Sequence, residues 1–226
     1  MNIDISLRPG STMAKVTLAP GEHLTAEGGS MVAMSANMDV TTTTYKRNQG
    51  NVLGALKRML SGESFFMNHY TAPSTGGEVW VAPTMMGDMF VQEMNGQRLI
   101  VQAGSYVASS ENVKVDFNWQ GFKSLLSGES MFWLSISGQG KVLINSYGVI
   151  YPVQVDGEYI VDTGHIVAFD ETMNFSITKA GKSWISSFLG GEGLVCKFKG
   201  KGTVWCQSHN PKSFGHAIGP KLKPRK

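Results

Sequence analysis

The sequence predicts an all-β fold built from three consecutive copies of one unit. Three observations lead to this prediction. The 27 glycines among 226 residues indicate many tight turns. Apolar and polar residues alternate over most stretches, as in half-buried strands, and three sequence elements recur in one order at one spacing. Because 42% of the residues are hydrophobic and only 16% are charged, the composition excludes disordered and coiled-coil chains and supplies a sizeable core.

The first recurring element reads as a β-hairpin. Each copy has a glycine followed by glutamate or glutamine, a few mostly apolar residues, a second glycine, and an apolar residue before Val-Ala. Asn95-Gly96 and Asp156-Gly157 predict type I′ turns, because both central residues of that turn need a positive φ. The copies span 20–33, 95–108 and 156–168, and their second glycines, which predict a further turn or bulge, are Gly29, Gly104 and Gly164.

The second recurring element is a Gly-Glu pair that follows an apolar stretch. Spacings of three and four predict short amphipathic helices near 52–60, 119–126 and 182–189, each of which needs a sheet to pack on. Three equivalent carboxylates could converge on an axis and bind a cation. Alternatively, each accepts hydrogen bonds from backbone N–H groups at the turn, and we prefer this role because the glycine recurs with the glutamate. The six residues are Gly62 and Glu63, Gly128 and Glu129, and Gly191 and Glu192.

The third recurring element is a glycine followed by a mostly apolar strand. It occurs at 77–81, 140–144 and 202–206. Together, the three elements predict one compact body made of three pseudo-equivalent units, preceded by a short segment and followed by a basic tail. The predicted bounds are 1–12 for the N-terminal segment, 13–86, 87–149 and 150–211 for the units, and 212–226 for the tail.

Residues that would carry chemistry are not arranged for it. The five histidines lack the spacing of a metal-binding pair, and the sequence has no nucleophile elbow, Walker loop or dinucleotide fingerprint. We therefore predict that the protein is not an enzyme and needs no cofactor or metal. The chain lacks a secretory signal and an apolar run of 18 residues, so a cytoplasmic protein is expected. In a reducing cytosol, Cys196 and Cys206 are expected to be buried thiols rather than a disulfide.

Methionines are concentrated in two patches, at 31–34 and 85–89. Methionine usually fills irregular gaps in a core. The other interpretation is an adaptable apolar surface through which subunits contact one another. A row of β units also ends in two strand edges, which must be paired, covered or charged. We therefore expect the chain to form a homo-oligomer with closed rotational symmetry.

The C-terminal tail carries five positive charges and no acidic residue. Removing them from the net charge of +3 leaves a body at −2. One interpretation is a solvated, frayed terminus. The other is an electrostatic contact with anionic lipid or nucleic acid, although a peripheral membrane role is not favoured. The charges belong to Lys212, Lys221, Lys223, Arg225 and Lys226.

The hairpin glycines with their trailing Val-Ala, and the segment Leu-Lys-Arg-Met-Leu-Ser-Gly-Glu-Ser-Phe-Phe at 56–66, resemble the altered-inheritance-of-mitochondria-24-type family. The resemblance covers residues 13 to 210. It implies three tandem domains similar to the tryptophan RNA-binding attenuation protein, which is a short double-stranded β-helix variant. It also implies a homotrimer in which nine units complete a ring. Mitochondrial members are implicated in inner-membrane organisation, whereas bacterial members have no agreed activity.

These observations predict a non-enzymatic structural or scaffold protein that acts through protein–protein contacts. The alternative is a ligand- or RNA-binding regulator similar to the attenuation protein. A rim that tracks phosphates should repeat with the units. Lys57-Arg58 is matched only by Lys123 in the second copy and by Ser186-Ser187 in the third. RNA wrapping is therefore not expected.

Overall fold

The structure is a computed structural model that describes residues 1–46, 64–117, 133–179 and 194–223. In these ranges the chain is predominantly β, which confirms the all-β part of the prediction, with one α-helix, α1 (Pro211–Ile218), near the end. The strands are β1 (Asn2–Ser6), β2 (Met13–Leu18), β3 (His23–Glu27), β4 (Met31–Met34), β5 (Asp39–Lys46), β6 (Ser64–Thr71), β7 (Gly77–Val81), β8 (Met89–Asn95), β9 (Leu99–Gln102), β10 (Tyr106–Ser110), β11 (Val113–Asp116), β12 (Trp133–Asn145), β13 (Ile150–Asp162), β14 (Ile166–Asp170), β15 (Asn174–Lys179) and β16 (Leu194–Gln207).

The described strands form two sheets with antiparallel ladders. The smaller sheet has the order β1-β2-β7-β4. The larger has the order β13-β16-β14-β9-β12-β10-β3-β6-β5, with β8 and β11 added at β12 and β15 added at β16. The strands β12, β13 and β16 are the longest. The two halves of β12 pair with different strands, and so do the two halves of β16 apart from their common partner β13.

None of the three segments predicted as hairpins folds as a hairpin. In the second segment, β9 pairs with the first half of β12, whereas β10 pairs with its second half. In the first segment β3 pairs with β6 and β4 with β7, and in the third both β13 and β14 pair with β16. The two arms therefore never pair with each other. Alternation identifies a strand, but it carries no information about which neighbour supplies the hydrogen bonds.

The type I′ turn predicted at Asp156-Gly157 is wrong, because both residues lie inside β13. Gly157, with a φ of +106°, faces Gly200, with a φ of +125°, on β16. Positive φ without a Cβ lets both strands bend at the same point. Gly96 is similar, since its N–H donates to the carbonyl of Gly138 and the flanking strands β8 and β9 both pair with β12. These glycines mark bends in the sheet rather than chain reversals.

Two antiparallel ladders, β10 with β3 and β14 with β9, each join a strand of one predicted unit to a strand of the unit before it. We call these two ladders seams. In the first seam, β10 pairs with β3 and Ala108 lies opposite Ala26. In the second seam, β14 pairs with β9 and Ala168 lies opposite Val101. The two registers are identical relative to the Val-Ala sequence. The second-seam strand β9 is buried on both faces, because Ile100 is as inaccessible as its neighbours, so the expected half-buried alternation fails there.

Buried apolar side chains form three clusters that follow one another along the larger part of the chain. The first lies between the two sheets around Leu24 and Val79, the second around Leu134 and Ile144, and the third around Phe169 and its aromatic neighbours. The division into three units stays a prediction. The helices predicted near 52–60, 119–126 and 182–189 lie wholly outside the described residues.

Candidate functional site

The structure describes few of the residues singled out as site candidates. All three Gly-Glu pairs, at 62–63, 128–129 and 191–192, lie outside the described residues, as do Arg225 and Lys226. Lys221 and Lys223 are described and exposed. The candidate site is therefore built from other residues, which lie on exposed strand edges of the two sheets.

The basic tail begins with a folded segment. The side-chain oxygen of Asn210 accepts a hydrogen bond from the Lys212 backbone N–H at 2.9 Å, which caps α1. The Phe214 ring packs edge-on against Tyr147 with a centroid separation of 5.7 Å. Pro211–Ile218 is therefore helical and contacts the body through one ring rather than being frayed, while residues 213–223 are all exposed, as the interpretation of a solvated tail expects.

Two of the described histidines, His69 and His165, are hydrogen-bonded to residues of the larger sheet. Both ring nitrogens of His69 meet threonine hydroxyls, Thr25 at 3.0 Å and Thr43 at 2.7 Å. The Nδ1 atom of His165 donates to the Gln207 carbonyl at 2.8 Å. Within the described ranges, no three His, Cys, Asp or Glu side chains come together as ligands for a metal ion.

Cys196 and Cys206 are buried free thiols, as predicted. Both lie on the single strand β16. Burial raises the pKa of Cys196 to about 12 and that of Cys206 to about 11. Because the thiolate is the nucleophile, neither group is reactive near neutral pH in the folded chain.

The first open edge belongs to β4. Among the described residues β4 pairs with β7 alone, and the other side of the strand faces outward. Met31, Val32 and Met34 are exposed, Val32 to 56%. The structure thus brings one of the two methionine patches to a strand edge. The other patch is divided, since Met89 is buried and Met86 is exposed.

The second open edge belongs to the C-terminal half of β13. Among the described residues β13 pairs with β16 alone along its whole length, and in its C-terminal half Tyr159 and Ile160 are exposed, Ile160 to 58%. Glu158, at the start of this edge, forms ion pairs with Lys197 and Lys199 on β16. The hydrogen bond from Lys197 lowers the pKa of Glu158. The charges therefore lie beside the apolar edge and leave its centre uncharged.

The two edges have counterparts in the seams. The strand β4 has the same irregularity before its alanine as β10 and β14, the strands that supply one side of each seam. Within the described ranges its outer side has no strand partner, whereas the outer sides of β10 and β14 are paired. The end of β13 is followed by a 3-10 turn, as β9 is followed by the 3-10 turn at 103–105. The end of β13 is therefore equivalent to β9, the strand that supplies the other side of the second seam. The two edges thus correspond to the two sides of one further seam.

Comparison with known proteins places the chain in a family. A family model described as Mitochondrial biogenesis AIM24 matches residues 4–209. The chain belongs to this family. The resemblance drawn from the glycine pattern and from residues 56–66 is therefore confirmed.

Relatives of this AIM24-family chain occur in bacteria. An uncharacterised protein of Streptococcus pyogenes serotype M6 is 28% identical over 213 residues, which cover 91% of this chain and 85% of that protein. An X-ray crystal structure of a Streptococcus pyogenes protein is similar with a TM-score of 0.78 and 26% identity, covering 98% of this chain and 99% of that one. In the described part of the AIM24-family chain, no helix has the length and hydrophobicity to cross a bilayer.

Proposed function

We propose that this AIM24-family chain is a non-enzymatic structural protein that acts by assembling edge to edge with copies of itself. The observation that carries the proposal is the presence of two open apolar edges, on β4 and on the end of β13, whose counterparts pair with each other in both seams. Exposed edges of this kind template pairing with another chain unless they are protected. Here the charged Glu158 lies at the start of the β13 edge, and the centre of that edge and the whole of β4 carry no charge.

The register of the proposed contact follows from the seams. Ala168 lies opposite Val101 and Phe169 opposite Ile100 in the second seam. By the same rule, Ala33 of one copy pairs with Val161 of the next, and Met34 pairs with Ile160. The contact joins two different surfaces, so repeated contacts form a closed ring when the rotation between copies closes.

The shared irregularity of β4, β10 and β14 supports three tandem units similar to the tryptophan RNA-binding attenuation protein. Three copies of the chain, as the family resemblance implies, then supply nine such units for one ring. Edge pairing adds backbone hydrogen bonds and buries the exposed apolar side chains of both strands. The scaffold role follows because a ring of this kind presents repeated surfaces to other proteins.

Light scattering coupled to size exclusion tests the proposal with the full chain. We expect a mass near three times 24.5 kDa for the unaltered protein. A lysine at position 160 (Ile160→Lys) or a glutamate at position 34 (Met34→Glu) should each release the monomer, because an unpaired charge is then buried in the edge contact. Combining both changes should restore the assembly, since the proposed register places the opposite charges across from each other.

The matched control is Met86→Lys, at a residue that is 72% exposed and lies on neither edge. This variant should keep the mass of the unaltered protein. A monomeric unaltered chain would overturn the proposal. An assembly that survives both single changes would show that other surfaces hold the copies together, and failure of the double variant to reassemble would contradict the register.

A further inference from the structure

The two seams differ in what fills the space beside them. In the second seam, the Phe169 ring is fully buried among three aromatic side chains, one each on β12, β15 and β16. Centroid separations place Phe198 at 5.1 Å, Phe175 at 5.5 Å and Trp133 at 5.7 Å from it. Tilted and edge-on contacts at these distances are favourable for aromatic rings. The second seam is therefore packed with rings.

The strand registers identify the matching positions in the first seam. Ser109 lies opposite Thr25 there, as Phe169 lies opposite Ile100 in the second seam. Met67 on β6 pairs with the last residue of β3, and Trp133 on β12 pairs with the last residue of β9, so these two side chains also occupy matching positions. Val115 on β11 takes the position of Phe175 on β15, because the residues of β12 and β16 with which they pair occupy equivalent positions in the two seams. At these three positions the side chain of the first seam is smaller or more polar than its counterpart in the second.

An open cavity of about 460 Å³ lies at this place in the first seam. Its volume is within the range of small-molecule sites. One part of the wall is apolar, formed by Leu24, Met67, Val113, Val115 and Phe117, and the other part is polar, formed by His23, Thr25, His69, Ser109, Glu111 and Lys114.

The polar part of the wall is held in place by the sheet. Thr25 and His69 are joined by a hydrogen bond across β3 and β6. The Ser109 hydroxyl is 2.9 Å from the Tyr106 hydroxyl and is buried. Glu111 and Lys114 are exposed, so they put one charge of each sign within reach of a molecule in the cavity. Groups fixed on paired strands are preorganised, which lowers the entropic cost of binding.

We propose that the first-seam cavity binds a small aromatic molecule that carries a charged or polar group. Its ring takes the place that the Phe169 ring occupies in the second seam, against Met67 and Phe117. Methionine sulfur and an aromatic edge are both favourable neighbours for such a ring. Its polar group lies toward Glu111 and Lys114. The cavity is larger than a phenyl ring, so it has room for both parts. This site does not depend on the proposed assembly.

The probes for the test are 3-phenylpropionate, phenethylamine and phenylalanine, with 3-cyclohexylpropionate as the non-aromatic control. Binding to the full chain is followed by saturation-transfer NMR and by the methyl resonance of ¹³C-labelled Met67. At least one aromatic probe should bind with a Kd of about 5 mM or below, which corresponds to weak binding. The cyclohexyl control should bind at least tenfold more weakly than its phenyl analogue.

Filling the cavity from within the chain provides the decisive variant. Ser109→Phe places at the first seam the side chain that the second seam already has, so binding of the probe should fall at least tenfold. Val115→Phe, which mimics Phe175, is the second variant and should have the same effect if Ser109→Phe does not fold. Thr42→Phe, on the exposed face of β5, is the matched control and should leave binding unchanged.

Three results would overturn the proposal. The first is the absence of binding by every aromatic probe to the unaltered chain. The second is equal binding by the cyclohexyl control, which would remove the aromatic class. The third is unchanged binding in a folded Ser109→Phe or Val115→Phe variant, which would place the probe elsewhere. Because binding is read from Met67 rather than from mass, failure here is distinct from failure of the assembly.

Discussion

The two seams use the same backbone ladder and fill it in opposite ways. In the second, Phe169 and its aromatic neighbours exclude solvent and Ile100 is buried. In the first, Thr25 and Ser109 occupy the matching positions and a cavity lies beside them. The comparison teaches that the same ladder register is compatible with either arrangement, and that the side chains decide whether the space beside it is filled or left open. Ring packing contributes most to stability where it is complete.

The largest expected effect is in the packed seam. Phe169→Ala removes a fully buried ring and leaves a hole among three others, so the free energy of unfolding should fall by about 3 to 5 kcal/mol. Ser109→Ala, at the matching position of the first seam, should cost about 1 kcal/mol through its lost hydrogen bond. Urea denaturation of both variants measures the difference. Equal losses would show that the two seams are packed alike.

A second difference between the seams depends on pH. The first-seam strand β3 ends in Glu27, whereas β9 ends in Gln102. Burial raises the pKa of Glu27 to about 7 in the folded chain, from an ordinary value of 4.5. The folded state therefore binds more protons than the unfolded state between these values. Stability contributed by this group is complete below pH 4.5 and is lost as the pH rises through 7.

We expect this loss to reach about 2 to 3 kcal/mol between pH 4.5 and 7.5. Urea denaturation at a series of pH values measures it. Glu27→Gln gives the first seam the amide that the second seam has, and it should flatten that part of the profile. A profile that keeps its slope in the Gln variant would assign the pH dependence to another group.

The smallest effect concerns the hydrogen bond that replaces ring packing in the first seam. Thr25→Val keeps the shape of the side chain and removes the hydroxyl that is 3.0 Å from His69 Nδ1. The free energy of unfolding should fall by about 1 kcal/mol. Thr42→Val, which removes an exposed hydroxyl contact with Asn68, serves as the control and should change stability less. If Thr42→Val lowered the free energy of unfolding as much as Thr25→Val or more, the hydrogen bond between Thr25 and His69 would contribute no more stability than an exposed one.

Part of the candidate site was accessible to sequence reasoning. The methionine patch at 31–34 was expected either in a core or at a subunit contact, and the exposure of Met31 and Met34 on β4 favours the contact. The cavity was missed. Its signal is present in the aligned repeats, where Ser109 stands at the position of Phe169, but a size difference between copies acquires meaning only when the surrounding residues are known.

The sequence by itself determined that the chain is predominantly β, that its thiols are buried and that it belongs to its family. These properties depend on local alternation, on composition and on motif spacing, all of which are written along the chain. Only the tertiary structure decided which strands pair. Asp156-Gly157 satisfies the requirement of a tight turn and also that of a bend within a strand, because both need a positive φ. The choice between them depends on Gly200, which faces Gly157 from a strand more than 40 residues away and permits the bend.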